Sequence, residues 1–168
     1  VLGQETTGPG GFAMALRSIP AILGYAGLLR QLNPQAWMYN FTNPAGLVTQ
    51  ALRDAGYERT IGICDSANGG QHAIAHWAGA DAARIRAEVF GLNHLSWCRR
   101  AWLDGEDLMP HALADERFLR EAQGLFEPAL VRQVGMHLNE YLYYYYYAEK
   151  ALAAISREGM TRGEEILE

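Results

Sequence analysis

The sequence predicts an α/β fold, in which the end of a doubly wound parallel sheet is followed by part of an α+β region. Three observations carry that reading. Two short strand-like runs, residues 37–41 and 60–64, flank a helix-like run with short connections, the spacing of a parallel crossover. Strand-like runs up to residue 92 end on polar residues, as in open sheets that bind ligands beyond their carboxyl ends. From about Glu116 onward the pattern turns helical, after a pair of runs joined like a hairpin.

The elements follow in order. Residues 12–32 carry an apolar stripe at helical spacing through Leu16, Ile19, Leu23, Ala26 and Leu29, and Pro20 predicts a kink or break near Ile19. After the strand at 37–41, Asn43-Pro44 reads as a helix cap with proline at the first helical position, and Gly56 as the stop of a helix over 44–55. Residues 71–78 predict another helix ended near Gly79. Residues 85–92 and 95–103 predict strands, with Asp104-Gly105 as a turn signal. Residues 139–155, with Tyr141 and the run Tyr143 to Tyr147, predict the clearest helix of the last third. A composition shift near Asp65 divides the chain into residues 1–66, the end of a nucleotide-binding domain, and 67–168, the start of an α+β domain.

Composition narrows the function classes. The chain has 168 residues, 49% hydrophobic and 20% charged, an ordinary globular mix. A net charge of -5 argues against a basic nucleic-acid footprint. No run of apolar residues approaches the roughly 20 of a membrane span. No signal peptide opens the chain, and Cys64 and Cys98 form no CxxC pattern, which suits a reducing cytoplasm. The chain opens on Val1, runs straight into a glycine-rich loop, and stops in a charged stretch, so it reads as an internal segment.

Three polar clusters fall at predicted strand ends: Asn40, Thr42 and Asn43; Cys64, Asp65, Ser66 and Asn68; Asn93 and His94. Thiolate and imidazole are common metal ligands, so Cys64 and His94 could hold an ion together. The plainer reading makes Cys64 a small buried apolar residue and His94 a loop imidazole bonded to a carbonyl. Asp65 is a general acid or a helix cap. Tyr141 is a packing aromatic, or a general base where a nearby cation lowers its ordinary pKa of roughly 10. Cys98 sits mid-strand as a core residue, and His72, His76, His111 and His137 lack a partner at a diagnostic spacing. No GxGxxG fingerprint occurs, so no phosphate loop argues for a nucleotide.

Five stretches in this order, across nearly the whole chain, resemble glycoside hydrolase family 4: Gly3-Gln4-Glu5-Thr6-Thr7-Gly8-Pro9-Gly10-Gly11, Asn40-Phe41-Thr42-Asn43-Pro44-Ala45-Gly46, Ile63-Cys64-Asp65, Gly91-Leu92-Asn93-His94 and Asn139-Glu140-Tyr141-Leu142. The resemblance implies an NAD-binding Rossmann-type domain of the lactate/malate dehydrogenase kind, followed by a catalytic region. It implies Cys64 and His94 as ligands of manganese or another divalent metal, Asn43 as a sugar contact, Asp65 as a proton donor and Tyr141 as the base for sugar carbon 2. The implied activity is NAD- and metal-dependent hydrolysis of a phosphorylated disaccharide or aryl glucoside, by oxidation at carbon 3, proton loss at carbon 2 and elimination. This is an exception to the two-carboxylate scheme of most glycosidases. The 6-phospho-β-glucosidase branch is favoured, although Asp65 after the cysteine looks like the α branch. A cytoplasmic homo-oligomer is implied as well. Two other expectations stand beside it: an NAD-dependent 2-hydroxy-acid dehydrogenase of the same fold, and a non-catalytic assembly domain.

Overall fold

The computed structural model describes residues 6–157 and Glu164. Gly3, Gln4 and Glu5 of the opening motif lie outside the described residues. From Thr6 the opening folds back on the first helix, α1 (Gly8–Leu32), which has proline in its first turn. A Cβ on Gly11 would stand 2.5 Å from the Thr6 carbonyl carbon, so only glycine allows this approach.

The helix begins four residues earlier than the apolar stripe predicts and runs through Pro20 without the expected break. Pro20 and Leu16, whose carbonyl loses its partner, are both exposed, so water can replace the missing bond. By length and composition α1 is, among the described residues, the one helix long and apolar enough to cross a membrane, which corrects the reading that no run approaches that length. Here it packs beside α2 (Ala45–Asp54), where Ala26, Val48 and Leu52 form a small buried cluster.

Two parallel strands, β1 (Met38–Asn40) and β2 (Thr60–Gly62), lie beside these helices, with Met38 opposite Thr60 and Asn40 opposite Gly62. The pairing extends one step further, where the Ile63 N–H donates to the Asn40 carbonyl (2.9 Å). Tyr39, Phe41, Ile61 and Ile63 stay exposed. Asn43 does not cap α2. Pro44 holds the cap position in extended conformation after a cis Asn43-Pro44 bond. Gly56 ends the turn after α2 at φ +84°.

The second region starts with a 3-10 turn, Ser66–Asn68, and α3 (Gly69–Ala78), which Gly79 stops in the left-handed conformation. The strands β3 (Ile85–Leu92) and β4 (Leu95–Leu103) form the predicted hairpin, with Leu92 opposite Leu95 across the two-residue loop Asn93-His94. A bulge leaves Arg99 as an extra residue, since Glu88 faces Arg100 and Val89 faces Cys98. The bulge resets the alternation, so Ser96, Cys98 and Ala101 are all buried. Asp104 and Gly105, both at positive φ, turn the chain into β5 (Glu106–Asp107). The short β6 (His137–Leu138) pairs with β4 as well.

Helices α4 (Met109–Ala114), α5 (Glu116–Glu121) and α6 (Pro128–Val134) cover this sheet. Their core includes Ile74, Met109, Phe118, Leu119, Val131 and Leu138. The helix expected over 139–155 is broken into a 3-10 turn, Glu140–Leu142, then α7 (Tyr143–Tyr146) and α8 (Ala148–Ile155). Tertiary bonds break it. The Glu127 N–H donates to Tyr147 Oη (2.9 Å), Trp97 Nε1 donates to Tyr146 Oη (3.4 Å), and Tyr147 leaves helical geometry.

Candidate active site

Cys64 follows β2 by two residues, and His94 occupies the tip of the β3–β4 hairpin. Thirty positions apart in sequence, they meet with Cys64 Sγ 3.6 Å from His94 Nε2. Ser66 Oγ lies 3.2 Å from the same sulfur. His94 is buried (3% exposed) and has a φ of +61°, in the left-handed region that few residues other than glycine adopt. The Tyr141 ring stacks on the His94 ring, with centroids 3.7 Å apart and planes 3° from parallel.

Tyr141 is set by the residue two before it. Asn139 Oδ1 accepts from the Tyr141 N–H (3.0 Å), capping the 3-10 turn. The Asn139 carboxamide donates to the Ser66 carbonyl (3.2 Å) and to Ser96 Oγ (3.2 Å). Asn139 and Ser96 were not assigned a role by sequence reasoning. An Asn two residues before a tyrosine at the start of a helical run is a cap pattern that would have pointed to it.

Asp65 is exposed, with Oδ1 3.8 Å from the Cys64 sulfur. It occupies the cap position of the Ser66–Asn68 turn, yet its carboxylate makes no capping bond, so the cap reading fails. The carboxylate is left facing a cavity of about 540 Å³ shared with Ser66, Asn139 and Glu140. A second cleft, of about 430 Å³, is lined by Gly62, Cys64, Gly91, Asn93 and Ser96. There the Asn93 Nδ2 is buried without a hydrogen-bond partner among the described residues.

Asn43 lies at the same carboxyl end of the parallel sheet, half-buried, with its carbonyl accepting from Ser18 Oγ (3.5 Å). Among the described hydrogen bonds its side chain reaches neither Cys64, His94 nor Tyr141. Asn40 turns out to be a buried scaffold: its Nδ2 donates to the Thr42 carbonyl (3.3 Å) and Thr49 Oγ1 (3.4 Å), and its Oδ1 accepts from the Thr42 N–H (3.2 Å). A cavity of about 210 Å³ at the other end of the sheet, beneath Arg30 and Tyr57, contains none of these groups.

The other cysteine and histidines are core or surface residues. Burial pushes the Cys98 thiol up to about 11 and depresses His137 to about 4, so both stay neutral in the core. His72 and His76 are exposed, and His111 pairs with Glu106 on the surface (3.6 Å).

The donor set fits a divalent transition metal. With bonds of about 2.3 Å to sulfur and about 2.0–2.1 Å to imidazole, donors at a tetrahedral angle stand about 3.6 Å apart. Among the described residues no third His, Cys, Asp or Glu joins the pair, which leaves coordination positions for ligand oxygens.

Comparison with known proteins bears on the whole chain. The sequence profile of the family 4 glycosyl hydrolases matches residues 1–79, and that of the family 4 glycosyl hydrolase C-terminal domain matches 89–168. A probable 6-phospho-β-glucosidase of Bacillus subtilis is 32% identical over 97% of this chain and 39% of its own length. The 6-phospho-α-glucosidase 1 of Lacticaseibacillus paracasei is 42% identical over 66% of this chain and 26% of its own. The crystal structure of the 6-phospho-β-glucosidase of Thermotoga maritima, with manganese, NAD+ and glucose-6-phosphate, superposes with a TM-score of 0.86 at 32% identity, covering 99% of this chain and 40% of that one. The chain thus spans about 40% of the length of these β-glucosidase relatives. That likeness bears out the expected fold, the end of a Rossmann-type α/β domain followed by part of an α+β domain. With Cys64 inside the first matched profile and His94 inside the second, the chain belongs to glycosyl hydrolase family 4.

Proposed function

We propose that the protein hydrolyses 6-phosphorylated glucosides in a reaction that needs NAD and a divalent metal ion, manganese by preference. The meeting of Cys64 and His94 beneath the Tyr141 ring carries the reading. When bound, NAD supplies a hydride acceptor at sugar carbon 3, and the metal supplies the positive charge that makes the carbon 2 proton acidic. Cys64 Sγ and His94 Nε2 are the ion's protein ligands. Tyr141, held against His94 by stacking, takes the proton from carbon 2. Asp65 gives a proton to the departing glycosidic oxygen, from a carboxyl that no cap bond restrains. Asn43 binds a sugar hydroxyl. Asn93 Nδ2 offers a donor to a ligand oxygen, since a buried donor left unpaired costs about 1–3 kcal/mol.

The β anomer is favoured by 32% identity along nearly the whole chain, against 26% for a 6-phospho-α-glucosidase structure that covers it equally. A second reading, the α anomer, is favoured by Asp65 and by the 42% identity over a shorter stretch. The substrate is a disaccharide or aryl glucoside phosphorylated on uptake, which puts the protein in the cytoplasm; assembly as a homo-oligomer follows from the family resemblance alone. We place the domain boundary at residue 66. The first profile runs on to residue 79, yet Ile74 and Ala75 of α3 pack in the second core.

The test is nitrophenol release by the full-length protein from both anomers of nitrophenyl glucoside 6-phosphate, with and without NAD and manganese. Cleavage that needs both additives supports the reading, and the faster anomer decides the branch. Cleavage independent of both, or of neither anomer under any condition, removes it.

A further inference from the structure

Resting on the metal-site reading above, we propose that Asn139 is the positioning residue of this site, one buried carboxamide that holds the Cys64 segment, the His94 hairpin and Tyr141 in register. Its side chain bonds to three chain segments and uses both of its donors. The two Nδ2 protons go to the Ser66 carbonyl and to Ser96 Oγ, and Oδ1 accepts from the Tyr141 N–H. Its own N–H donates to the Ser96 carbonyl (3.2 Å), which ties it a second time to β4. The residue is 6% exposed, so water does not replace these bonds.

Each tether ends beside a group of the site. Ser66 bears the hydroxyl 3.2 Å from the Cys64 sulfur. Ser96 stands two residues after His94, across a tight loop. Tyr141 carries the ring stacked on His94. The Ser66 and Ser96 tethers span 73 and 43 residues of sequence, so they fix tertiary rather than local geometry. Only a short planar amide presents two donors and an acceptor from one point. Aspartate keeps the acceptor and loses both donors, and glutamine is a methylene too long for a packed site. Metal ligands must be held within about 0.5 Å of the productive geometry, and the hydrogen bonds described for Asn139 act through the neighbours of Cys64 and His94.

Manganese binding by the full-length protein without substrate, read from the electron paramagnetic resonance signal of the free ion, tests this apart from turnover. Asn139→Asp and Asn139→Ala are expected to weaken binding about 10- to 100-fold in protein that remains folded, with a matching rise in KM. A residue serving stability alone would lower the melting temperature and the active fraction but leave the manganese affinity of the folded protein in place. Ser96→Ala removes a single tether and is expected to weaken binding roughly threefold. Should the Asn139 variants fail to fold, Ser96→Ala decides, and unchanged affinity there overturns the proposal. Folded Asn139 variants that bind manganese within about twofold of the unaltered protein overturn it too. Failure of the unaltered protein to bind manganese overturns the metal-site reading and this proposal with it; failure confined to the variants' expected loss overturns this proposal alone.

Discussion

Ahead of Cys64 the chain buries little: Ala26, Val48 and Leu52, with Ile19, Ile22, Leu23, Met38 and Tyr57 packed partly against them. Beyond Gly69 it buries much, from Ile74 and Ile85 through Met109, Phe118 and Leu119 to Leu138 and Leu142. The first region also leaves Tyr39, Phe41, Ile61 and Ile63 exposed, whereas the second covers one side of its sheet with α3 to α6. The candidate site straddles the two. Cys64 hangs from the thin layer, and His94, Asn139 and Tyr141 from the thick one. The 3.6 Å between sulfur and imidazole therefore depends on how the layers dock, not on either layer alone.

The contrast is sharpest in core truncations. Phe118→Ala, at a side chain 1% exposed in the thick layer, is expected to cost about 3–5 kcal/mol in urea unfolding. Leu52→Ala in the thin layer, equally buried, is expected at the low end of the leucine range, about 2–3 kcal/mol, because exposed neighbours can collapse inward. Equal losses would break the comparison.

Acid should act on the thick layer first. His137 is held neutral by burial, with its pKa lowered to about 4 from an ordinary 6.5. Between those values the unfolded chain binds the proton and the folded one does not. Stability is therefore complete above about pH 6.5 and falls as pH drops toward 4, by up to about 3 kcal/mol. Unfolding free energies across that window check it, and a flat profile would show that His137 is more hydrated than its 7% exposure suggests.

Glycine substitutions separate the layers at smaller amplitude. A Cβ on Gly70 would stand 2.6 Å from Cys98 Cβ, so Gly70→Ala is expected to cost about 1–3 kcal/mol. Gly24, inside α1, has nothing within 4 Å, so Gly24→Ala is expected to gain about 0.5–1 kcal/mol. Melting temperatures of the pair read both signs. Thiol labelling is the mildest probe. Cys64 is half-buried and should alkylate, while Cys98, buried and pushed up to about 11, should not until the protein unfolds.

Legibility in the sequence follows the same division. Residues 85–92 and 95–103 are strands to the residue, because their β-branched and aromatic runs are bounded by a tight loop and an Asp-Gly turn. Gly56 and Gly79 stop their helices as read, each at positive φ. What failed was decided by contacts distant in sequence. Pro20 does not break α1, since the bond it removes is on the solvent side. The tyrosine run does not form one helix, since Glu127 and Trp97 engage the hydroxyls of Tyr147 and Tyr146. Asn43 does not cap α2, because Pro44 holds the cap position in extended conformation. In the site, Cys64 and His94 are legible as types at strand ends and Tyr141 as a member of the last helical run, and the three converge, but the stacking of Tyr141 and the tethers of Asn139 depend on folding 139–142 back beside β4.

The hairpin tip carries one more consequence. His94 sits at φ +61°, a backbone position where glycine or asparagine is at ease and an imidazole-bearing residue is strained by about 1–3 kcal/mol. Selection of a library for thermal resistance alone should therefore drift toward Gly or Asn at 94, yielding sturdier proteins without the nitrogen that faces Cys64. Selection for activity should hold histidine there against that drift. Position 94 is thus a place where heat tolerance and chemistry pull the same codon in opposite directions.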